Sequence, residues 1–197
     1  MKEKFNHVYQ FKITLEGAKP PIWRRIQVPE TYTFWDLHVA IQDAMGWEDY
    51  HLHEFKMTDP STGSVVSIGI PDEDFGRKIL PEHRRKIAEY FSMGNRSAEY
   101  VYDFGDSWEH KIQLEKILPR EKGATYPICI KGKRACPPED CGGLWGYADI
   151  LEALEDPDNE EREELLDWVG EDFDSEHFDA AEVSFSDPDK RFKFAFG

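Results

Sequence analysis

Long apolar runs are missing from this sequence. No stretch of roughly 18 or more apolar residues occurs, and the opening MKEKFNHVYQ has neither the apolar stretch nor the small-residue cleavage site of a secretory signal. The expectation is a soluble, cytoplasmic protein with no membrane partner. Cysteine is scarce too: three in 197 residues, with no Cys-x-x-Cys pair. Three thiols cannot all pair within one chain. That suits a reducing compartment and leaves free thiols, one Cys136 to Cys141 disulfide or a zinc site as readings. The common enzyme signatures are absent: no Walker-type loop, no Gly-x-Ser-x-Gly elbow and no His-Glu-x-x-His helix. Asp103-Phe-Gly105 spells the kinase metal-binding tripeptide, but the chain lacks the glycine-rich loop and the His-Arg-Asp loop that would accompany it.

Base is in deficit, with 24 Lys and Arg against 40 Asp and Glu, a net charge of -16. The deficit is local. From Asp149 to Asp189 there are 18 acidic residues against the single base Arg162, so the molecule is polarised and the remainder is near neutral. An acidic segment of this kind suits a solvated helical face or a surface for a protein partner. Short basic groups at Arg24-Arg25, Arg77-Lys78, Arg84-Arg85-Lys86 and Lys131-Gly-Lys133-Arg134 are scattered, so nucleic-acid binding has weak support.

Periodicity predicts an α+β fold: a single domain with a mixed, mainly antiparallel sheet. Tyr9, Phe11, Ile13 and Leu15 alternate with polar residues as a strand does, and Ile22 to Val28 forms its hairpin partner. Thr33 stands as N-cap with Asp36 three positions on, and Phe34, Leu37, Ile41, Ala44 and Met45 follow helical spacing until Gly46. His51 to Thr58 reads as the next strand, giving a β-grasp-like strand-strand-helix-strand opening. Val65 to Ile68 suits a short strand within a loop running from Asp59 to Gly76, and Pro81 to Phe91 suits a basic helix. Acidic helices are expected at Tyr147 to Glu155 and Glu160 to Val169. The domain spans 1–183, and the tail 184–197 alternates from Arg191 to Phe196 like a last strand or a sticky end.

The candidate chemistry gathers around Tyr100 to His110. A two-residue turn at Gly105-Asp106 would set Asp103 opposite Trp108 and place His110 diagonally from Asp103, on an apolar face with Val101, Ile112 and Leu114. Asp103, Asp106 and His110 are therefore candidate acid-base residues, and Glu139 and Asp140, presented rigidly after two prolines, are two more. His51, His53 and His110 fall on predicted apolar strand faces. With Cys129, Cys136 and Cys141 they form the candidate set for a divalent metal such as zinc. A satisfied core histidine is the plain alternative.

Five blocks carry a family resemblance: Pro21-Ile-Trp-Arg-Arg25, Thr33-Phe-x-x-Leu37-His38, His51-Leu-His-Glu-Phe55, Tyr102-Asp-Phe-Gly-Asp-Ser-Trp-Glu-His110, and Cys136-Pro-Pro-Glu-Asp-Cys-Gly-Gly143 with Gly146-Tyr147. From about Val8 to Val183 the chain resembles the Ri-plasmid third-open-reading-frame family, whose members often carry TnpR-like or insertion-element passenger labels. The resemblance implies no established activity, and the residues of a serine or tyrosine recombinase are not in evidence. Three functions follow as expectations. The first is a non-enzymatic binding or interaction module of a plasmid- or insertion-element-associated family, its partner surface on the acidic helices. The second is a metal-dependent hydrolase or nuclease-like enzyme using a His/Asp site. The third is a mobile-element accessory protein that binds nucleic acid.

Overall fold

The structure, a computed structural model, describes residues 4–71 and 78–197. Its strands are β1 (His7–Leu15), β2 (Trp23–Pro29), β3 (His53–Thr58), β4 (Val65–Gly69), β5 (Ile79–Pro81), β6 (Ser97–Tyr102), β7 (Trp108–Pro119) and β8 (Ile128–Lys133). Its helices are α1 (Phe34–Met45), α2 (Ile87–Tyr90), α3 (Gly143–Glu155), α4 (Arg162–Val169) and α5 (Pro188–Phe196), with 3-10 turns at Glu82–Arg84 and Ala180–Glu182. The eight strands form one sheet in the order β5-β4-β3-β6-β7-β1-β2-β8. Among the described residues only the β4–β5 pair is parallel, so the sheet is mixed and mainly antiparallel. The opening order of strand, strand, helix, strand is present, and β7 and β6 stand between the first hairpin and β3.

Alternation in the strands decides which face is dry. Phe11, Ile13 and Leu15 of β1, Ile26 and Val28 of β2 and Ile112 and Leu114 of β7 pack into one core with Phe34, Leu37, Ile41 and Ala44 of α1. The opposite face is polar and cross-linked: Arg25 makes a bidentate pair with Glu115 at 2.6 and 2.7 Å, Glu115 also accepts from Gln10, and Gln10 accepts from Gln27. Helix α1 begins as its sequence dictates. The Thr33 hydroxyl accepts from the Asp36 amide at 3.2 Å and the Asp36 carboxylate accepts from the Thr33 amide at 2.8 Å, while Gly46 ends the helix at φ 99°.

Three expectations are corrected. The basic helix at Pro81 to Phe91 is instead β5, a 3-10 turn and the single turn α2. Two of its backbone groups go to the residues around the start of α1: the Arg85 carbonyl accepts from the Phe34 amide, and the Ile87 amide donates to the Tyr32 carbonyl. The tail is helical rather than extended, because Asp187 caps it, Pro188 occupies the first turn, and Phe192 and Phe196 set their rings against Trp35. The β6–β7 turn is longer than two residues. Tyr102 pairs with Trp108, so residues 103–107 form the loop and His110 lies opposite Tyr100. Asp103 and Ser107 take left-handed conformations, at φ 54° and 57°, and the Asp103 side chain accepts from the Gly105 amide. The expected loop at 59–76 is described only in part, since 72–76 lie outside the described residues together with Arg77.

Candidate metal centre at the junction of three loops

Three connections meet at one end of the sheet. The first joins α1 to β3 and carries Trp47, Glu48, Tyr50 and His51. The second is the loop 103–107, and the third, before α3, carries Pro137 to Gly142. Directional bonds fasten them together. The Trp47 indole donates to the Pro137 carbonyl at 3.0 Å, the Glu48 amide to Glu139 at 2.8 Å, and the Gly142 amide to Asp106 at 3.1 Å. The Tyr102 hydroxyl accepts from the Tyr50 amide at 3.0 Å and donates to the Glu139 carboxylate at 3.1 Å. Burial and the Glu139 charge push the Tyr102 phenol well above its ordinary range, so it stays a proton donor.

The His51 imidazole sits where these loops converge. Its Nε2 is 3.0 Å from Asp140, 3.7 Å from Asp103 and 3.8 Å from Glu139. That nitrogen is itself shielded from solvent and makes no well-directed hydrogen bond to any of the three. The ligand-capable atoms of His51, Asp103 and Asp140 all lie within 4.8 Å of one another. Asp103 spends one oxygen on the Gly105 amide and turns the other toward His51. The Asp140 side chain is 67% exposed, so the cluster opens to solvent on that side. Among the described residues no Lys or Arg pairs with Asp103, Glu139 or Asp140. Asp103 and Asp140 are both left-handed, at φ 54° and 55°, a conformation uncommon outside glycine that aims the two carboxylates here.

Of the residues singled out in the sequence, His51, Asp103, Glu139 and Asp140 come together, with Asp106 bracing the third loop. His53 does not join them. Its ring stacks on that of His38 with centroids 3.4 Å apart and planes 5° from parallel, and its Nε2 bonds to the buried Glu82 at 2.6 Å. His110 does not join them either, and the expected His110 to Asp103 hydrogen bond is absent. The one-residue difference in register puts the ring under Tyr100 and edge-on to Trp47, where neither nitrogen has a good partner. Burial lowers the His110 pKa to about 4, and backbone groups of Trp108 and Tyr100 offset only part of that. The cysteines are free, and burial raises all three thiols, Cys141 to about 12. Among the described residues no cysteine shares a metal-ligand cluster.

Sequence reasoning passed over His38, Asp49, Glu82 and Arg191. The Asp49 carboxylate can only accept, so the proton of the neutral His38 ring sits on Nε2, facing Asp49 at 2.8 Å, and Nδ1 accepts from the Tyr100 hydroxyl at 2.9 Å, whose oxygen accepts from the Gln42 amide. Burial lowers the His38 pKa to about 4 and keeps the ring neutral. Asp49 is held as a carboxylate by His38, His53 and Arg191 against the opposing effect of burial. The one signal in the sequence was His38 itself, at the end of a family block and on the inner side of α1.

A family model described as plasmid pRiA4b ORF-3-like protein matches residues 7–182. The chain belongs to this family. It is 39% identical over 184 residues to the uncharacterized protein y4hQ of Sinorhizobium fredii (strain NBRC 101917 / NGR234), covering 93% of this chain and 89% of that one. It is also similar to the crystal structure of MM3350, a protein of unknown function from Methanosarcina mazei Go1. There the TM-score is 0.87 and the identity 53%, over 92% of this chain and all of that one. Three of the blocks that carried the resemblance, those at His51 to Phe55, Tyr102 to His110 and Cys136 to Gly143, are the ones that supply the loop junction. Among the described residues no helix is long and apolar enough to cross a membrane.

Proposed function

We propose that this protein is a binding module whose ligand is a divalent cation, held by His51, Asp103 and Asp140 with Glu139 beside them. The observation that carries the reading is the His51 Nε2, a shielded nitrogen with no directed partner, set beside three carboxylates that pair with no Lys or Arg among the described residues. Carboxylates gathered this closely repel one another, and a bound cation would relieve that repulsion. One imidazole with carboxylate oxygens suits Zn²⁺, Mn²⁺ or Fe²⁺ better than Mg²⁺, and the exposed Asp140 side leaves positions for water or a ligand.

Titration of untagged protein with Zn²⁺ and Mn²⁺ tests this. The expected result is one saturable site. At a hundredfold excess over Kd the cation adds about 2.7 kcal/mol of stability, and the melting temperature rises by roughly 5–10 °C. The Asp103→Asn, Asp140→Asn double variant abolishes both. A wild-type protein that binds no more cation than the double variant refutes the reading. Open coordination positions also suit activation of a water for hydrolysis, so turnover of a phosphodiester by the loaded protein, lost in the double variant, would make the module an enzyme.

A second reading concerns α4, none of whose residues is buried and whose Trp168 lies half exposed among acidic neighbours. This face suits a protein partner. Converting Glu160, Glu161, Glu163 and Glu164 to glutamine is expected to leave the fold intact and to abolish co-purification of that partner. Undiminished co-purification removes the idea.

A further inference from the structure

The C-terminal helix lies outside the family match, which ends at residue 182, yet it grips the loop that presents His51. Arg191 reaches three acceptors at once: Asp43 at 3.0 Å, the Glu48 carbonyl at 3.1 Å and Asp49 at 3.2 Å. The other Asp49 oxygen is taken by His38. Asp49 stands at φ 64°, in the left-handed region where a non-glycine residue needs surrounding contacts to hold it. Beyond it the chain of bonds continues to the candidate centre. The Glu48 amide donates to Glu139, the Tyr50 amide to Tyr102, Tyr102 to Glu139, and the next residue is His51. The helix is itself anchored, since the Trp35 indole donates to the Pro188 carbonyl at 2.9 Å and Ser186 makes two bonds to Asp43.

We infer that Arg191 is a positioning residue for the cation site: a planar fork from a helix outside the family core, which fixes the 48–51 loop and thereby sets His51 against Glu139, Asp103 and Asp140. This rests on the cation-binding reading for its functional consequence, but the positioning itself does not. Only an arginine serves three acceptors in this way, because its guanidinium carries five donors in fixed directions, whereas a lysine is a single flexible point of charge.

The test combines two measurements on the full-length protein and on Arg191→Ala, Arg191→Lys and Ile150→Ala. The last alters the core under α3 and controls for general destabilisation. Hydrogen exchange, measured without metal, follows the Glu48 and Tyr50 amides. The expected result is exchange at least tenfold faster in Arg191→Ala, intermediate in Arg191→Lys and unchanged in Ile150→Ala. Zn²⁺ titration is expected to show about tenfold weaker binding in Arg191→Ala and wild-type affinity in Ile150→Ala. Unchanged exchange at Glu48 and Tyr50 overturns the inference whatever the metal does. Faster exchange with undiminished Zn²⁺ affinity overturns the link to the site. If the wild-type protein binds no Zn²⁺, the functional reading fails, and the positioning role stands or falls on the exchange data alone.

Discussion

His110 offers a sharp test of how burial governs this protein's response to acid. The ring is 1% exposed, lies against Tyr100 and Trp47, and among the described residues neither of its nitrogens pairs with a carboxylate. Its folded pKa of about 4 lies below the usual 6.5. The direction of the effect follows. Between these values the unfolded chain takes up a proton that the folded protein refuses, so stability falls as pH falls through that window. At 1.36 kcal/mol per pKa unit the full loss is about 3 kcal/mol, of which about 2 has appeared by pH 5. His110→Leu nearly conserves volume and removes the titrating group. At pH 7.5 it should change stability by less than about 1.5 kcal/mol. Urea unfolding of both proteins at pH 7.5 and pH 5.0 measures the difference. His38, with a similarly lowered pKa, titrates in both proteins and cancels. The variant is expected to lose about 2 kcal/mol less than the wild type over this interval. Equal losses in the two proteins would refute the reasoning and mean that the buried ring finds a partner when protonated.

The remaining predictions concern the loops and α1. Gly143 sits at φ 69°, and a Cβ there would come 2.5 Å from the Asp106 carbonyl oxygen. Gly143→Ala is therefore expected to cost about 1–3 kcal/mol in chemical denaturation and to weaken Zn²⁺ binding by separating two of the three loops. Tyr102→Phe strands the Tyr50 amide and removes a donor from Glu139. A loss of about 1–3 kcal/mol is expected, with faster exchange at Tyr50 as the local readout. Thr33→Ala removes half of the capping box on α1 and should cost about 1 kcal/mol, with Zn²⁺ affinity unchanged because the helix start does not touch the loop junction.

Much of the fold was legible because local rules and tertiary packing agree along much of the chain. The period of two in Tyr9 to Leu15 fixes a core face, and Thr33, Asp36 and Gly46 bracket α1 through bonds between near neighbours. Neither needs a distant partner. The failures have the opposite character. Pro81 to Phe91 has helical composition, but its backbone groups are claimed by Tyr32 and Phe34, about 50 positions away in the chain. Residues 191–196 alternate, but an Asp-Pro start and the Trp35 surface favour a helix.

What the sequence by itself determined is an inventory: the first hairpin, α1, β3 and the helices that follow Gly142, that one segment is acidic, and that His51, Asp103, Glu139 and Asp140 belong to the candidate set. Only the tertiary structure decided which of those meet. A single position of register between β6 and β7 moved His110 from beside Asp103 to beneath Tyr100, because side chains on a strand change face at every residue. It left Asp103 free to meet His51 from another loop, and that meeting depends on where three separate connections end, which no local pattern encodes.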